Sequence, residues 1–169
     1  MPRKLTTCLV LAACIALLHV EASACSCDWA GPFVDVAGKA DLVVTVRVDG
    51  YGRRLRFGQD IYTFMRVTVL DVLAGTEQAS VLKIYGDTGA LCRPYIAPET
   101  FALGAEYVLA IHRLEDARAG EYEVISCGEF WLPRRADTVS GRIRSSDAET
   151  MSYSDFVSIF ANRKSSVEQ

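Results

Sequence analysis

Cys25 and Cys27 stand one residue apart at the end of a stretch with the layout of an export signal, and only Cys92 and Cys127 follow them. No other feature constrains the fold as much. The upstream stretch opens on Arg3 and Lys4 and runs through an almost wholly apolar segment from Leu5 to Val20. It closes on Ala22-Ser23-Ala24, with small residues at the two positions a signal peptidase reads. Residues 1–24 read as a signal peptide cleaved after Ala24, which removes Cys8 and Cys14 from the chain's six cysteines and makes Cys25 the first mature residue. Two competing readings acylate a cysteine instead. Leu11-Ala12-Ala13-Cys14 would leave the apolar tail Ile15 to Val20 on the product, and Ala22-Ser23-Ala24-Cys25 lacks the leucine usual three residues before the cysteine. Ordinary cleavage is the expectation. It implies a secreted protein, extracellular or periplasmic, with no membrane association unless Cys25 is lipidated.

An exported chain with four cysteines reads as a disulfide scaffold. Three pairings exist. A Cys25–Cys27 bridge would close a very small, strained ring. The other two pairings both tie the N-terminus to distant chain, and at this level both stay open. Residues i and i+2 of an extended segment face the same side, so both N-terminal cysteines can anchor to one surface, each bridge contributing roughly ~2–4 kcal/mol.

A chain of 169 residues suits one domain plus a targeting segment. Hydrophobic residues make up 50% and charged residues 23%, which argues against disorder. A net charge of −3 gives no basic face of the kind nucleic acid requires. His112 is the one histidine left after cleavage. A serine or cysteine hydrolase would need it beside a nucleophile on a recognisable elbow, which the sequence lacks, and a lone histidine does not make a metal site. A non-enzymatic protein without a cofactor is expected.

Periodicity predicts a small all-β domain. Asp41 to Asp49 is rich in β-branched residues and reads as a strand ending at Gly50, with a turn or hairpin loop around Gly50, Gly52 and Gly58. Ile61 to Leu73 alternates as a second, long strand. Ser80 to Tyr85 is a third. Gly86 to Phe101 is a long connection holding Cys92, Glu106 to Leu114 a fourth strand, Ala117 to Gly120 a turn, and Glu121 to Cys127 a fifth strand. A short helical turn is expected within Phe33 to Ala40. A second helix is expected near the end, capped by Ser154, with Phe156, Ile159 and Phe160 in one apolar stripe. Five strands with a long third connection suit a five-stranded Greek-key barrel of the OB type, with short flanking helices and two disulfides. An immunoglobulin-like sandwich wants about seven strands.

Several stretches resemble one family. Cys25-Ser26-Cys27 at the cleavage site, Phe33 followed by Ala40-Asp41-Leu42-Val43-Val44, and Val69 to Gly75 carry the first part of the likeness. Leu91-Cys92, Glu106 to Ala110, and Ile125-Ser126-Cys127-Gly128-Glu129-Phe130-Trp131-Leu132-Pro133 carry the rest. Their order and spacing resemble the tissue inhibitors of metalloproteinases (TIMPs) and the wider netrin-like (NTR) group of secreted OB-fold domains. The resemblance covers residues 25–133, leaving 134–169 as a C-terminal extension with a short helix. It implies pairing of Cys25 with Cys92 and of Cys27 with Cys127. It further implies that the α-amine and carbonyl of Cys25 chelate the catalytic zinc of a target metalloprotease. Ser26 would aim at the specificity pocket, and Ala90, Leu91 and Arg93 would flank Cys25, Ser26 and Cys27 on one inhibitory ridge. The chain departs from TIMPs in having no cysteines for a third bridge and no second, cysteine-rich domain. A plain structural staple is the competing account of the Cys-Ser-Cys, and a non-inhibitory netrin-like binding module that of the whole chain.

Elsewhere the expectations are plainer. Glu121 and Glu123 read as solvated. Trp29, Phe130 and Trp131 read as core or core edge. Arg134, Arg135, Arg142 and Arg144 form a basic patch, read as solvated surface with a partner or anionic-glycan site as its competitor. The expected partner is a zinc metalloprotease and not nucleic acid, and the expected state is a monomer.

Overall fold

The structure, a computed structural model, describes residues 27–57, 59–87, 93–115 and 117–167, with the backbone alone for residues 55–57, 59–61 and 162–167. The segment read as a signal peptide lies outside the described residues. Chain order is α1 (Phe33–Ala37), β1 (Leu42–Phe57), β2 (Gln59–Ala74), β3 (Val81–Tyr85), β4 (Glu106–Arg113), β5 (Glu121–Glu123), β6 (Trp131–Arg135), β7 (Thr138–Gly141), β8 (Glu149–Ser152) and α2 (Tyr153–Val167).

Five of these strands close on themselves. β1 pairs with β2, β2 with β3, β3 with β5, β5 with β4, and β4 with β1, with β3–β5 parallel and the other pairs antiparallel. This is the circuit of an OB-fold-like barrel. The strands' apolar side chains fill it: Val44, Val46, Val48, Met65, Val67, Leu82 and Ile84 are all essentially inaccessible to water. β4 serves two neighbours on its other edge. Its end, His112 and Arg113, pairs with β5, and its beginning, Glu106 to Leu109, pairs with β6. From β6 the sheet continues into β7 and β8. These three strands lie beyond the five that periodicity predicts.

Two boundaries differ from expectation for physical reasons. β1 does not end at Gly50 but runs to Phe57, which pairs with Gln59. Gly50 and Gly52 are therefore strand residues, Gly50 at a register shift in the ladder with β2 and Gly52 at a close approach of the Phe64 ring. β5 is shorter than expected, three residues rather than seven, because the chain leaves the sheet after Glu123 to reach the disulfide at Cys127.

The two helices dock on one side. Phe33 is fully buried, its ring 5.6 Å from Phe156 and 6.4 Å from Phe160 of α2. Of the expected stripe, Phe156 and Phe160 reach the core and Ile159 packs at its margin. The α2 cap is Ser152 rather than Ser154. The Ser152 Oγ accepts the Asp155 N–H at 3.1 Å and donates to Asp155 Oδ2 at 2.6 Å, so cap and third helical residue bond reciprocally.

One buried polar contact closes the barrel near β5. The Tyr122 hydroxyl donates to Glu77 Oε2 at 2.5 Å, and Glu77 Oε1 accepts the N–H groups of Gln78 and Ala79, both at 2.8 Å. The Arg113 guanidinium lies 5.1 Å over the Tyr122 ring. Burial first, then the hydrogen bond and charge of Glu77, push the Tyr122 phenol from 10.0 up to about 12. Burial raises Glu77 too, but the donors Tyr122, Ala79 and Gln78 outweigh it and hold its carboxyl below the usual range. The signs are opposite. The tyrosine's contribution is complete below pH 10 and disappears as pH rises toward 12; the glutamate's is complete above its unfolded value and disappears as pH falls below it. Tyr122→Phe should cost about 1–3 kcal/mol at pH 7. In urea titrations it should also flatten the alkaline decline expected of the native chain from pH 10 upward; an unchanged alkaline limb would contradict this assignment.

Candidate functional site: the stapled N-terminal segment

The N-terminal segment lies along the outside of the barrel and is held at two points. Cys27 is bonded to Cys127 across 100 residues of sequence, with their Cα atoms 5.8 Å apart. The Ala30 N–H donates to the Cys127 carbonyl at 2.7 Å, and the Glu129 N–H donates to the Gly31 carbonyl at 3.2 Å. The disulfide thus begins a short run of main-chain pairing between residues 27–31 and 127–129. The segment then turns inward, where the Phe33 and Val34 N–H groups reach the Arg142 and Ile143 carbonyls at 2.8 and 2.9 Å. Residues 27–30 are exposed throughout. Trp29, expected in the core or at its edge, is 48% exposed. The cause is local: backbone pairing binds the segment to the outer surface, leaving no apolar layer beyond it to cover the indole. Phe130 is buried as expected and Trp131 half-buried.

The loop between β3 and β4 carries the other ridge candidates. Its stems are joined by the Asp87 N–H donating to the Pro94 carbonyl at 3.0 Å, and by the Tyr62 N–H donating to the Ile96 carbonyl at 3.3 Å. Arg93, a candidate ridge residue, forms an ion pair with Glu123. Cys27 is anchored at Cys127, four residues further along. At most ~3.6 Å per residue, the two anchors lie within about 14 Å of each other. Of the candidate ridge residues, Cys27 is thus tied to Cys127 and Arg93 to Glu123 on β5. Cys25, Ser26, Ala90, Leu91 and Cys92 lie outside the described residues, and so does the Cys25–Cys92 bridge.

The surface acids are less solvated than expected. Glu121 and Glu123 are partly buried, each side chain 18% exposed, Glu121 bonded to Lys83 at 3.1 Å and Glu123 to Arg93. The basic stretch 134–144 is solvated as expected, with Arg142 and Arg144 54% and 64% exposed, and most of its cations have carboxylate partners. Arg134 bonds Glu106 at 2.7 Å and stacks 4.1 Å over the Tyr153 ring. Arg142 lies 3.7 Å from Glu129, and Arg144 is bonded to Glu149 at 2.5 Å, a contact that raises the arginine and lowers the glutamate from their ordinary values. Arg135 is exposed. Tyr153 in turn bonds buried Thr45 at 2.7 Å, which ties α2 to β1. His112 sits on β4, its Nδ1 3.6 Å from Asp41 Oδ2. Among the described residues no group of three or more histidine, cysteine or acidic side chains is arranged to hold a metal. Nor is any helix among them long and apolar enough to cross a membrane.

Fold and site together define a class, an OB-fold-like barrel with an exposed N-terminal segment stapled to it by a disulfide. No family model matches the chain, and no curated protein matches it significantly. Trp29 and Glu123 are the site features missed from sequence. An exposed tryptophan beside a bridging cysteine had no local signature, and the role of Glu123 depends on a partner thirty residues away.

Proposed function

We propose that this protein is an exported, non-catalytic binding module that presents its N-terminal segment to a protein partner. The observation that carries this reading is the exposed run 27–30, fastened to a rigid barrel by the Cys27–Cys127 bridge and by pairing to residues 127–129. A segment held in shape before docking loses little conformational entropy on binding.

The finer reading makes the partner a zinc metalloendopeptidase and the protein a TIMP-like, netrin-domain inhibitor. It is supported by the bond between Cys27 and Cys127, the pairing that the family resemblance implies. In this reading the α-amine and carbonyl of Cys25 enter the coordination position that a catalytic zinc keeps for water. A free α-amine titrates near ~7.7–8.0, so part of it is neutral at pH 7 and able to bind metal.

The test compares the processed chain with one carrying a single extra alanine before Cys25, using binding to and inhibition of a zinc metalloendopeptidase as readouts. Chelation predicts loss of inhibition on extension, and weakening of the native inhibitor as pH falls below about 7 and the amine protonates. Equal inhibition by both forms would overturn chelation and leave a ridge that binds without touching zinc. Absence of any binding by either form would remove the peptidase as partner.

A further inference from the structure

The exposed segment enters the molecule through a turn and a helix start, and both are hydrogen-bonded to residues that follow the five barrel strands. The turn is at Gly31, whose φ of +118° is a conformation that side chains rarely allow. The helix start is α1. The first four N–H groups of a helix have no partner within it, and Pro32, the residue before α1, carries no side chain that could accept them. The Asp35 and Val36 N–H groups turn back to the Pro32 carbonyl at 3.0 and 3.2 Å. The Phe33 and Val34 N–H groups go instead to the Arg142 and Ile143 carbonyls, in the link between β7 and β8. The Phe33 ring meets Phe156 and Phe160 of α2. These four partners belong to residues 134–169, past the stretch that carries the family resemblance.

Glu129 joins the two sides. Its N–H donates to the Gly31 carbonyl at 3.2 Å, on the segment. Its side chain serves the extension: Oε1 accepts the Arg142 N–H at 3.3 Å, and Oε2 lies 3.7 Å from Arg142 Nη1. Arg142 therefore gives its N–H to Glu129 and offers its carbonyl to Phe33. Gly141 leaves room for the carboxylate, since a Cβ there would stand 2.9 Å from Glu129 Oε1 and 2.5 Å from Leu132 Cδ2. Three hydrogen bonds thus close a circuit through Gly31, Glu129, Arg142 and Phe33, around Pro32, which is buried.

We propose that Glu129 is a positioning residue for the exposed segment, and that the C-terminal extension acts through it as a brace that sets the segment's direction for docking; this rests on the binding-module reading above. The disulfide and the Ala30–Cys127 bond fasten the segment to residues 127–129. Those residues are themselves a link between β5 and β6. The circuit fastens that link to the extension and holds the segment a second time, at Gly31 and Phe33. Two fixed points define a direction, whereas one leaves it free, and a direction set before docking costs little entropy on binding. A plain cover over the side of the barrel would need the rings of Phe156 and Phe160. It would not need a carboxylate turned onto the Arg142 amide, a charge-assisted bond that joins the extension to the segment's own anchor.

The test is amide exchange and backbone nitrogen relaxation on the full processed chain, on Glu129→Ala and Glu129→Gln, and on the distant control Arg135→Gln. Alanine removes the acceptor of the Arg142 N–H; glutamine keeps an oxygen for it and loses only the charge. In Glu129→Ala the Phe33 and Val34 amides should exchange at least about tenfold faster relative to the Val44 and Val46 amides of β1, which report global stability. The order parameters of the Trp29 and Ala30 amides should fall from about 0.85 toward 0.6. Glu129→Gln should recover most of both effects, and Arg135→Gln should match the native chain. These readouts need no partner, so they stand whether or not a peptidase binds. In the peptidase assay, Glu129→Ala should bind about tenfold more weakly than the native chain. Exchange at Phe33 and Val34 that rises only in step with Val44 and Val46, unchanged order at Trp29 and Ala30, a glutamine variant as loose as the alanine one, or native affinity in Glu129→Ala would each overturn it.

Discussion

Replacing both Cys27 and Cys127 with serine is expected to destabilise the protein by about 2–5 kcal/mol. The bridge spans 100 residues, so in the chain-entropy account it removes more freedom from the unfolded chain than a short loop would, up to about 4.7 kcal/mol. For a domain of this size that is a fall in unfolding temperature on the order of 10 °C. The effect is not confined to the unfolded state. Among the described residues 27–31 the segment then keeps two main-chain bonds, from Ala30 to Cys127 and from Glu129 to Gly31, and two such hydrogen bonds hold a segment weakly. The Ala30 amide should then exchange with solvent far faster than in the native chain, while amides of β1 and β4 change only with global stability. Urea midpoints and hydrogen exchange measure the two parts separately. A double variant within 1 kcal/mol of the native chain, with Ala30 still protected, would show that the bridge is incidental to the site.

Phe33→Ala is the second large effect, about 3–5 kcal/mol. Phe33 is wholly buried and meets both aromatic residues that α2 sends inward, Phe156 and Phe160, whose rings are 5.3 Å from each other. Truncation leaves a cavity lined by rings that cannot collapse without moving a helix. It also loosens the point where the exposed segment turns into the core. Trp29→Ala, four residues away and half exposed, should stay within about 0.5 kcal/mol. The pair separates packing from presentation: equilibrium unfolding should register Phe33 and not Trp29, and partner binding should register Trp29. Comparable stability losses in the two variants would mean that the indole is covered after all.

The legible parts of the fold are those with local causes. β1, β3 and β4 declare themselves through runs such as Leu42-Val43-Val44-Thr45-Val46 and Tyr107-Val108-Leu109-Ala110-Ile111, because β-branched and apolar residues at successive or alternate positions fit a pleated, buried surface whatever lies beyond. β7 and β8 have no such signature. Thr138-Val139-Ser140-Gly141 and Glu149-Thr150-Met151-Ser152 are short and mostly polar, and they are strands because β6 offers them an edge. Gly50 and Gly52 look like turn residues from the sequence, whereas in the structure Gly50 sits at a register shift in the β1–β2 ladder and Gly52 lies under the Phe64 ring. The Ser154 cap was displaced by two residues because β8 runs directly into α2, and the hydroxyl that meets the free N–H groups is the last one of the strand.

At the candidate site the division is the same. The sequence by itself pointed Cys27 to a partner in distant chain, since a bridge between neighbours two apart is strained, and it showed that the barrel strands alternate or run apolar according to how many faces they bury. It also determined which side chains are charged, but not which charges are free. Only the tertiary structure decided that Cys27 bonds Cys127, that Arg93, Arg134, Arg142 and Arg144 have carboxylate partners, that Trp29 stays at the surface, and that Arg66 faces solvent beside an aromatic pair. Strand and helix preferences act over a few residues and can be read in sequence order. Pairing of charges and sulfurs depends on distances of a few ångströms between positions that, for Cys27 and Cys127, are 100 residues apart along the chain, and those distances exist only once the barrel has closed.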